Sequence, residues 1–264
     1  MKKIANFTQT YKTNTDYTWG ADFEDRGYLF DYLVKDKTSI WLRNKLDFHN
    51  ISFHNYDKEG AKNILAKVRS HVPDTNGFIY NKMTYVQSFY EHLKILKKEH
   101  DITDIFWIQD DEFFIYNHLS DIEDVLNYYR NDSTLTNIQF GMSSNILLKK
   151  NKTLTDTEGE KINDSLILYR TTCKDFNDFH PHPENYDHGP HAFPSGASLC
   201  NIDILLKLLK QLNKDIDTKN AYDVEMLMGF YGLKLNLQRC SLNVPLLKAY
   251  NLSLIHISEP TRLS

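Results

Sequence analysis

The chain reads as an α/β protein, one domain on a mainly parallel central sheet with mixed strands after an acidic motif at residues 109–112. Three observations predict this. Strand and helix patterns alternate through the first half, as in parallel sheets with crossover helices. The run Ile105-Phe106-Trp107-Ile108 is apolar without a break, which suits a strand buried on both faces. In the second half the alternation stops, and the strands there read as mixed in direction.

The elements follow in order. Residues 3–11 mix β-branched and aromatic side chains and read as a strand. Residues 23–34 place Phe23, Phe30, Leu33 and Val34 at helical spacing. Short strands are read at residues 39–42 and 51–54. Residues 60–72 form a helix with Ala61, Ile64, Leu65 and Val68 on one face. Residues 83–100 form a longer one, turning Val86, Phe89, Leu93 and Leu96 inward. After the apolar run, residues 120–130 are a helix, with Ser120 as N-cap and Glu123 completing a capping box. Residues 137–148 and 165–170 read as strands joined by a polar loop. Residues 201–212 and 220–230 read as helices, and 234–242 as the last strand.

Composition narrows the function. Of 264 residues, 41% are hydrophobic and 25% charged, a globular balance rather than a disordered one. A net charge of -4 disfavours a nucleic-acid partner held mainly by charge. No apolar run approaches the ~20 residues of a transmembrane segment, and the amino terminus lacks the apolar stretch of a secretory signal. Cys173, Cys200 and Cys240 are widely spaced and odd in number, which fits a reducing compartment. The expected location is therefore cytoplasmic, with work at a membrane face left open. A Walker-type loop, a GxGxxG turn and a GxSxG elbow are all missing, against ATPase, dinucleotide and common hydrolase readings.

The most informative stretch is Gln109-Asp110-Asp111-Glu112, which follows the apolar strand directly. Open α/β sheets bind ligands beyond the carboxyl ends of their strands. Adjacent carboxylates there repel one another, and a divalent cation offsets that repulsion. Hard oxygen donors suit Mg²⁺ or Mn²⁺ together with substrate phosphates. The alternative is a solvated acidic turn. Downstream, Pro194-Ser195-Gly196-Ala197 forms a turn where Gly196 can take a positive φ and let a ligand approach the backbone. Further on, Asp223 and Glu225 stand at the start of a helix, where the dipole favours acids with or without a catalytic task. Between the first acidic stretch and the glycine turn lies a Pro- and His-rich loop, residues 180–191, whose spacing fits no standard zinc motif.

This order of acidic strand end, glycine turn and second acidic motif resembles the GT-A type glycosyltransferases, whose DxD-like site holds a metal and a nucleotide sugar. The resemblance spans residues 4–242 and implies a single GT-A-like, Rossmann-like domain over residues 1–251. It implies a transferase that uses Mn²⁺ or Mg²⁺ and moves a sugar from a nucleoside-diphosphate sugar donor to a hydroxyl of a glycan, lipid or protein acceptor. Asp111 and Glu112 are the expected metal ligands. Gln109 and Asp110, with Gln9, Thr10 and Tyr11 after the first strand, are the expected donor and nucleotide contacts. The two outer places of the motif fit Asp110 and Glu112, or Gln109 and Asp111. Ser195, Gly196, Ala197, His188 and His191 are expected to line the acceptor and sugar pocket. Glu225 or Asp223 faces the acceptor hydroxyl, with Glu225 favoured by its place at the end of the motif. The family also carries a metal-binding histidine nearer the C-terminus, for which no residue before Asn251 stands out.

Competing readings are a nucleotidyltransferase, a non-catalytic carbohydrate- or protein-binding domain, and a zinc hydrolase built on the His loop. The first calls for a basic, glycine-rich loop near the amino terminus, where residues 4–20 hold one glycine. Residues 252–264 resemble the translated read-through of a sequencing adapter. They are set aside as a non-native tail, with the natural chain expected to continue.

Overall fold

A computed structural model describes residues 1–11, 42, 44–54, 58–80, 83–108, 112–114, 118–140, 147–148, 152–175, 193, 196–215 and 221–249. The expected helix at 23–34, the His loop and the tail lie outside these residues. Of Thr10, Tyr11, Glu112 and residues 221–226 only the backbone is described.

The strands are β1 (Ile4–Tyr11), β2 (Asn50–His54), β3 (Asn76–Tyr80), β4 (Asp104–Trp107), β5 (Glu112–Phe114), β6 (Asn137–Gln139), β7 (Leu147–Leu148), β8 (Lys152–Thr153), β9 (Glu160–Lys161), β10 (Ile167–Thr172), β11 (Ser198–Asn201), β12 (Gln238–Leu242) and β13 (Leu247–Ala249). The helices are α1 (Lys58–Arg69), α2 (Tyr85–His100), α3 (Leu119–Asn131), α4 (Ile202–Asp215) and α5 (Ala221–Lys234). Nine strands form one sheet in the order β3-β2-β1-β4-β11-β6-β12-β10-β9. β3, β2, β1 and β4 are mutually parallel, as the first half of the sequence predicts. β11 enters antiparallel between β4 and β6, β6 and β12 run parallel, and β10 is antiparallel to both β12 and β9. The fold is α/β with mixed strands in its second half.

β4 is central because every one of its residues can be buried. Alternate side chains serve opposite faces. Ile105 and Trp107 join a core with Phe89, Leu93, Leu205 and Met228 under α2, α4 and α5. Phe106 and Ile108 join Ile122, Val125 and Leu126 under α3. α1 covers Ile51 and Phe53 of β2.

Local signals explain most boundaries. Thr84 caps α2, its Oγ1 accepting from Gln87 N at 3.2 Å while Gln87 Oε1 accepts from Thr84 N at 3.0 Å. Four expectations change. Ser120 does not cap α3: the helix starts one residue earlier with His118 as N-cap, whose Nδ1 lies 2.8 Å from Asp121. Glu123 is drawn instead to Lys45 across the surface. Leu42 is helical rather than the end of a strand. The strand expected over 137–148 stops at Gln139, and its neighbour runs Ile167–Thr172. Lys234 ends a helix, and the last long strand opens only at Gln238, after a left-handed Asn236 (φ 48°).

Candidate active site

Residues 109–111 have an anchored neighbour on each flank. On one side Ile108 N donates to Phe7 O at 2.9 Å and its side chain is buried. On the other, Glu112 opens β5, which pairs antiparallel with β13 in the register Glu112↔Ala249. Gln109, Asp110 and Asp111 bridge the two and lie outside the described residues. With three residues between them, the Cα atoms of Ile108 and Glu112 can stand no more than about 14 Å apart.

β11 is one of several strands that the sequence reading missed, with β3, β5, β8, β9 and β13. Residues 198–201 fell between a turn and a helix, yet they pair with β4 on one side and β6 on the other, in the registers Ser198↔Trp107 and Ser198↔Gln139. The turn before β11 is therefore set beside the carboxyl end of β4. Gly196 and Ala197 are both buried there. The positive φ expected at Gly196 belongs to Ala197 (φ 40°), and no described glycine has one. A left-handed alanine costs about 1–2 kcal/mol. Its surroundings hold it: Phe140 N donates to Ala197 O at 2.7 Å, and Leu246 N donates to Phe140 O at 2.7 Å. Leu246 leads straight into β13, so a backbone chain links the turn to the ribbon that carries Glu112.

The second acidic motif arrives at the same end by a helical hairpin. β11 runs away from that end and finishes beside the start of β4, in the register Asn201↔Asp104. Asn201 then caps α4, its Oδ1 accepting from Asp203 N at 3.0 Å. The Lys97–Asp203 ion pair sets the start of α4 against the end of α2, so α4 runs back towards the end from which α2 sets out. Its 14 residues span about 21 Å. α5 descends again, and its last turn meets the start of β12 through Leu237, whose N donates to Gly232 O at 2.9 Å. Residues 221–226, with Asp223 and Glu225, thus open α5 at the end where β4 and β6 finish, with the helix dipole favouring their charge.

Gln9 is 5% exposed, and its Nε2 donates to Ser88 Oγ at 2.6 Å and Tyr85 O at 3.3 Å. It ties the first turn of α2 to the sheet, under the expected nucleotide site. Thr10 and Tyr11 pair with Phe53 and His54 of β2. Ser195, His188 and His191 lie outside the described residues. Among the described residues no group of three or more His, Cys, Asp or Glu is placed to hold a metal ion. The donor set at 109–112 is all oxygen, which suits a hard divalent ion.

Three more residues near this end escaped the sequence reading. Gln139 and Ser241 are neighbours in register and buried, and neither Gln139 Oε1 nor Ser241 Oγ has a hydrogen-bond partner. Arg239 is wholly buried two residues before Ser241, and burial lowers its guanidinium to about 10. The available signal was polar residues at a spacing of two within short strands, Asn137/Gln139 and Arg239/Ser241.

No protein-family model matches the chain, and no curated protein matches it. Among solved structures, the chain resembles residues 1–349 of S. aureus TarS with 13% identity and a TM-score of 0.48, covering 94% of this chain and 60% of that one. For S. aureus TarS the values are 14% and 0.44, covering 94% and 36%. A 4-diphosphocytidyl-2C-methyl-D-erythritol synthase gives 8% and 0.41, covering 87% and 86%. The chain thus spans 60% and 36% of the two TarS chains, and all three likenesses are too distant to carry a function.

Proposed function

We propose that the chain is a metal-dependent glycosyltransferase of the GT-A type, using a nucleoside-diphosphate sugar and a hydroxyl acceptor on a glycan, lipid or protein. One arrangement supports the reading: the carboxyl end of β4, from which residues 109–111 depart, the Gly196–Ala197 turn and the backbone opening of α5 share one end of the sheet. Open α/β sheets bind ligands beyond such strand ends. Asp111 and Glu112, with Asp110 beside them, would hold Mn²⁺ or Mg²⁺. The bound ion supplies positive charge for the leaving diphosphate. The chain's own part is to orient and to move one proton. Gln109 and Asp110 orient the donor diphosphate and ribose. Gly196 and Ala197 present backbone to the sugar, with Ser195, His188 and His191 along the acceptor side. Glu225, or Asp223 two residues before it, takes the acceptor hydroxyl's proton as the sugar carbon exchanges its bond to the diphosphate for a bond to that oxygen.

The test is release of nucleoside diphosphate from a panel of UDP-, GDP- and CDP-sugars with and without Mn²⁺. Activity should need the ion and fall at least about 100-fold in Asp111→Ala, with a loss of about 10²–10⁴ in Glu225→Gln if Glu225 is the base. Full turnover by Asp111→Ala would end the proposal.

A further inference from the structure

Ser198, Gln139 and Ser241 stand in one row across β11, β6 and β12, paired Ser198↔Gln139 and Gln139↔Ser241. Their sheet face follows from alternation. Ile138, Leu199, Cys240 and Leu242 pack under α3, so the row faces the other way, towards the side on which Phe193 and α5 lie. Ser198 Oγ is satisfied by Cys200 Sγ at 3.4 Å. Its two neighbours are not. Gln139 is 7% exposed and Ser241 0%, and Gln139 Oε1 and Ser241 Oγ have no partner. Buried polar atoms nearly always have one, and leaving two adjacent atoms without one is a standing cost to the free protein. The row lies one residue below the left-handed Ala197, at that shared end of the sheet. Strained backbone held in place by its surroundings gathers at ligand sites.

We propose that Gln139 and Ser241 form a hydroxyl-reading pair that recognises the sugar of the nucleotide-sugar donor. This inference rests on the transferase reading and deepens it. The chemistry selects the ligand class. Gln139 offers an accepting Oε1 beside a donating Nε2, and the unpartnered Oε1 calls for an O–H or N–H donor, which a sugar hydroxyl supplies and an ionised phosphate oxygen does not. Ser241 Oγ both donates and accepts, which suits a second hydroxyl on the same ring. The diphosphate stays with the acidic turn, and the pair reads the neutral, hydroxylated part of the donor.

Gln139→Met and Ser241→Ala remove the two oxygens at little change of shape. The full chain with Mn²⁺ is titrated with the nucleotide-sugar panel and, separately, with the matching free nucleoside diphosphates, and each variant's melting temperature is recorded. Each variant should bind the nucleotide sugar about tenfold more weakly, bind the free diphosphate as the parent does, and melt at the same temperature or higher. Parent-like binding of the nucleotide sugar by both variants overturns the pair. So does an equal loss for sugar and free diphosphate. If Gln139→Met does not fold, Ser241→Ala decides alone. If the parent binds neither probe class, the transferase reading itself fails and this inference goes with it.

Discussion

Acid should unfold this protein earlier than its carboxylates alone would dictate, because of one histidine. His92 on α2 is 0% exposed, with Phe78 at 4.4 Å and Phe7 at 5.1 Å between ring centroids. Neither ring nitrogen has a hydrogen-bond partner. Burial, helped by the charge of His100, pushes the imidazole from its ordinary 6.5 down to about 3. The unfolded chain therefore takes up a proton near pH 6.5 that the folded chain refuses until about pH 3. Stability is complete above pH 6.5 and falls as the pH drops towards 3. The loss is about 2 kcal/mol by pH 5 and about 5 kcal/mol at the limit. Glu160, held below its ordinary 4.5 by the Arg170 hydrogen bond, adds its own loss only below that value. Among the described residues with a resolved shift, the window from pH 5 to 6.5 thus belongs to this histidine. His92→Leu should be neutral or stabilising by about 1–2 kcal/mol at pH 7.5, since it removes orphaned polar atoms from an apolar site. It should also flatten the slope between pH 6.5 and 5. Urea unfolding followed by tryptophan fluorescence at pH 7.5, 6.0 and 5.0 measures both. A variant with the parent's slope, or one destabilised by more than about 2 kcal/mol at pH 7.5, would refute the reasoning, because it would mean that the ring has partners.

Two further outcomes follow from the packing. Cys173, Cys200 and Cys240 are buried thiols pushed up to about 12, chiefly by burial, so a thiol reagent at pH 8 should label none in the folded protein and all three in urea; fast native labelling of any would contradict this. Gly232 lies inside α5, where helix propensity alone favours alanine by about 1 kcal/mol. A Cβ there would meet Phe193 Cβ at 2.8 Å and Cys173 Sγ at 3.2 Å. Gly232→Ala should therefore destabilise by about 1–3 kcal/mol, read as a lower melting temperature, and a rise would show that the helix has room to shift.

Whatever depends on neighbours in the chain was legible in the sequence. The unbroken apolar run of β4, the inward stripe of α2 and the apolar stripe of α1 are local patterns, and each appears in the fold within three residues of its predicted place. The order of the two acidic motifs and the glycine turn was legible for the same reason. What brings them to one end was not. β11 is four residues long and carries no turn signal of its own; it is a strand because β4 and β6 leave a slot with unpaired backbone groups on both sides. α3 starts at Leu119 with His118 as N-cap, and Glu123 pairs with Lys45, 78 residues earlier in the chain, rather than with Ser120. The buried row of Gln139 and Ser241 looks like ordinary strand polarity until neighbouring strands close over it. Residue type and spacing are properties of a stretch of chain. Burial and strand pairing are properties of segments a hundred residues apart, and only the folded sheet assigns them.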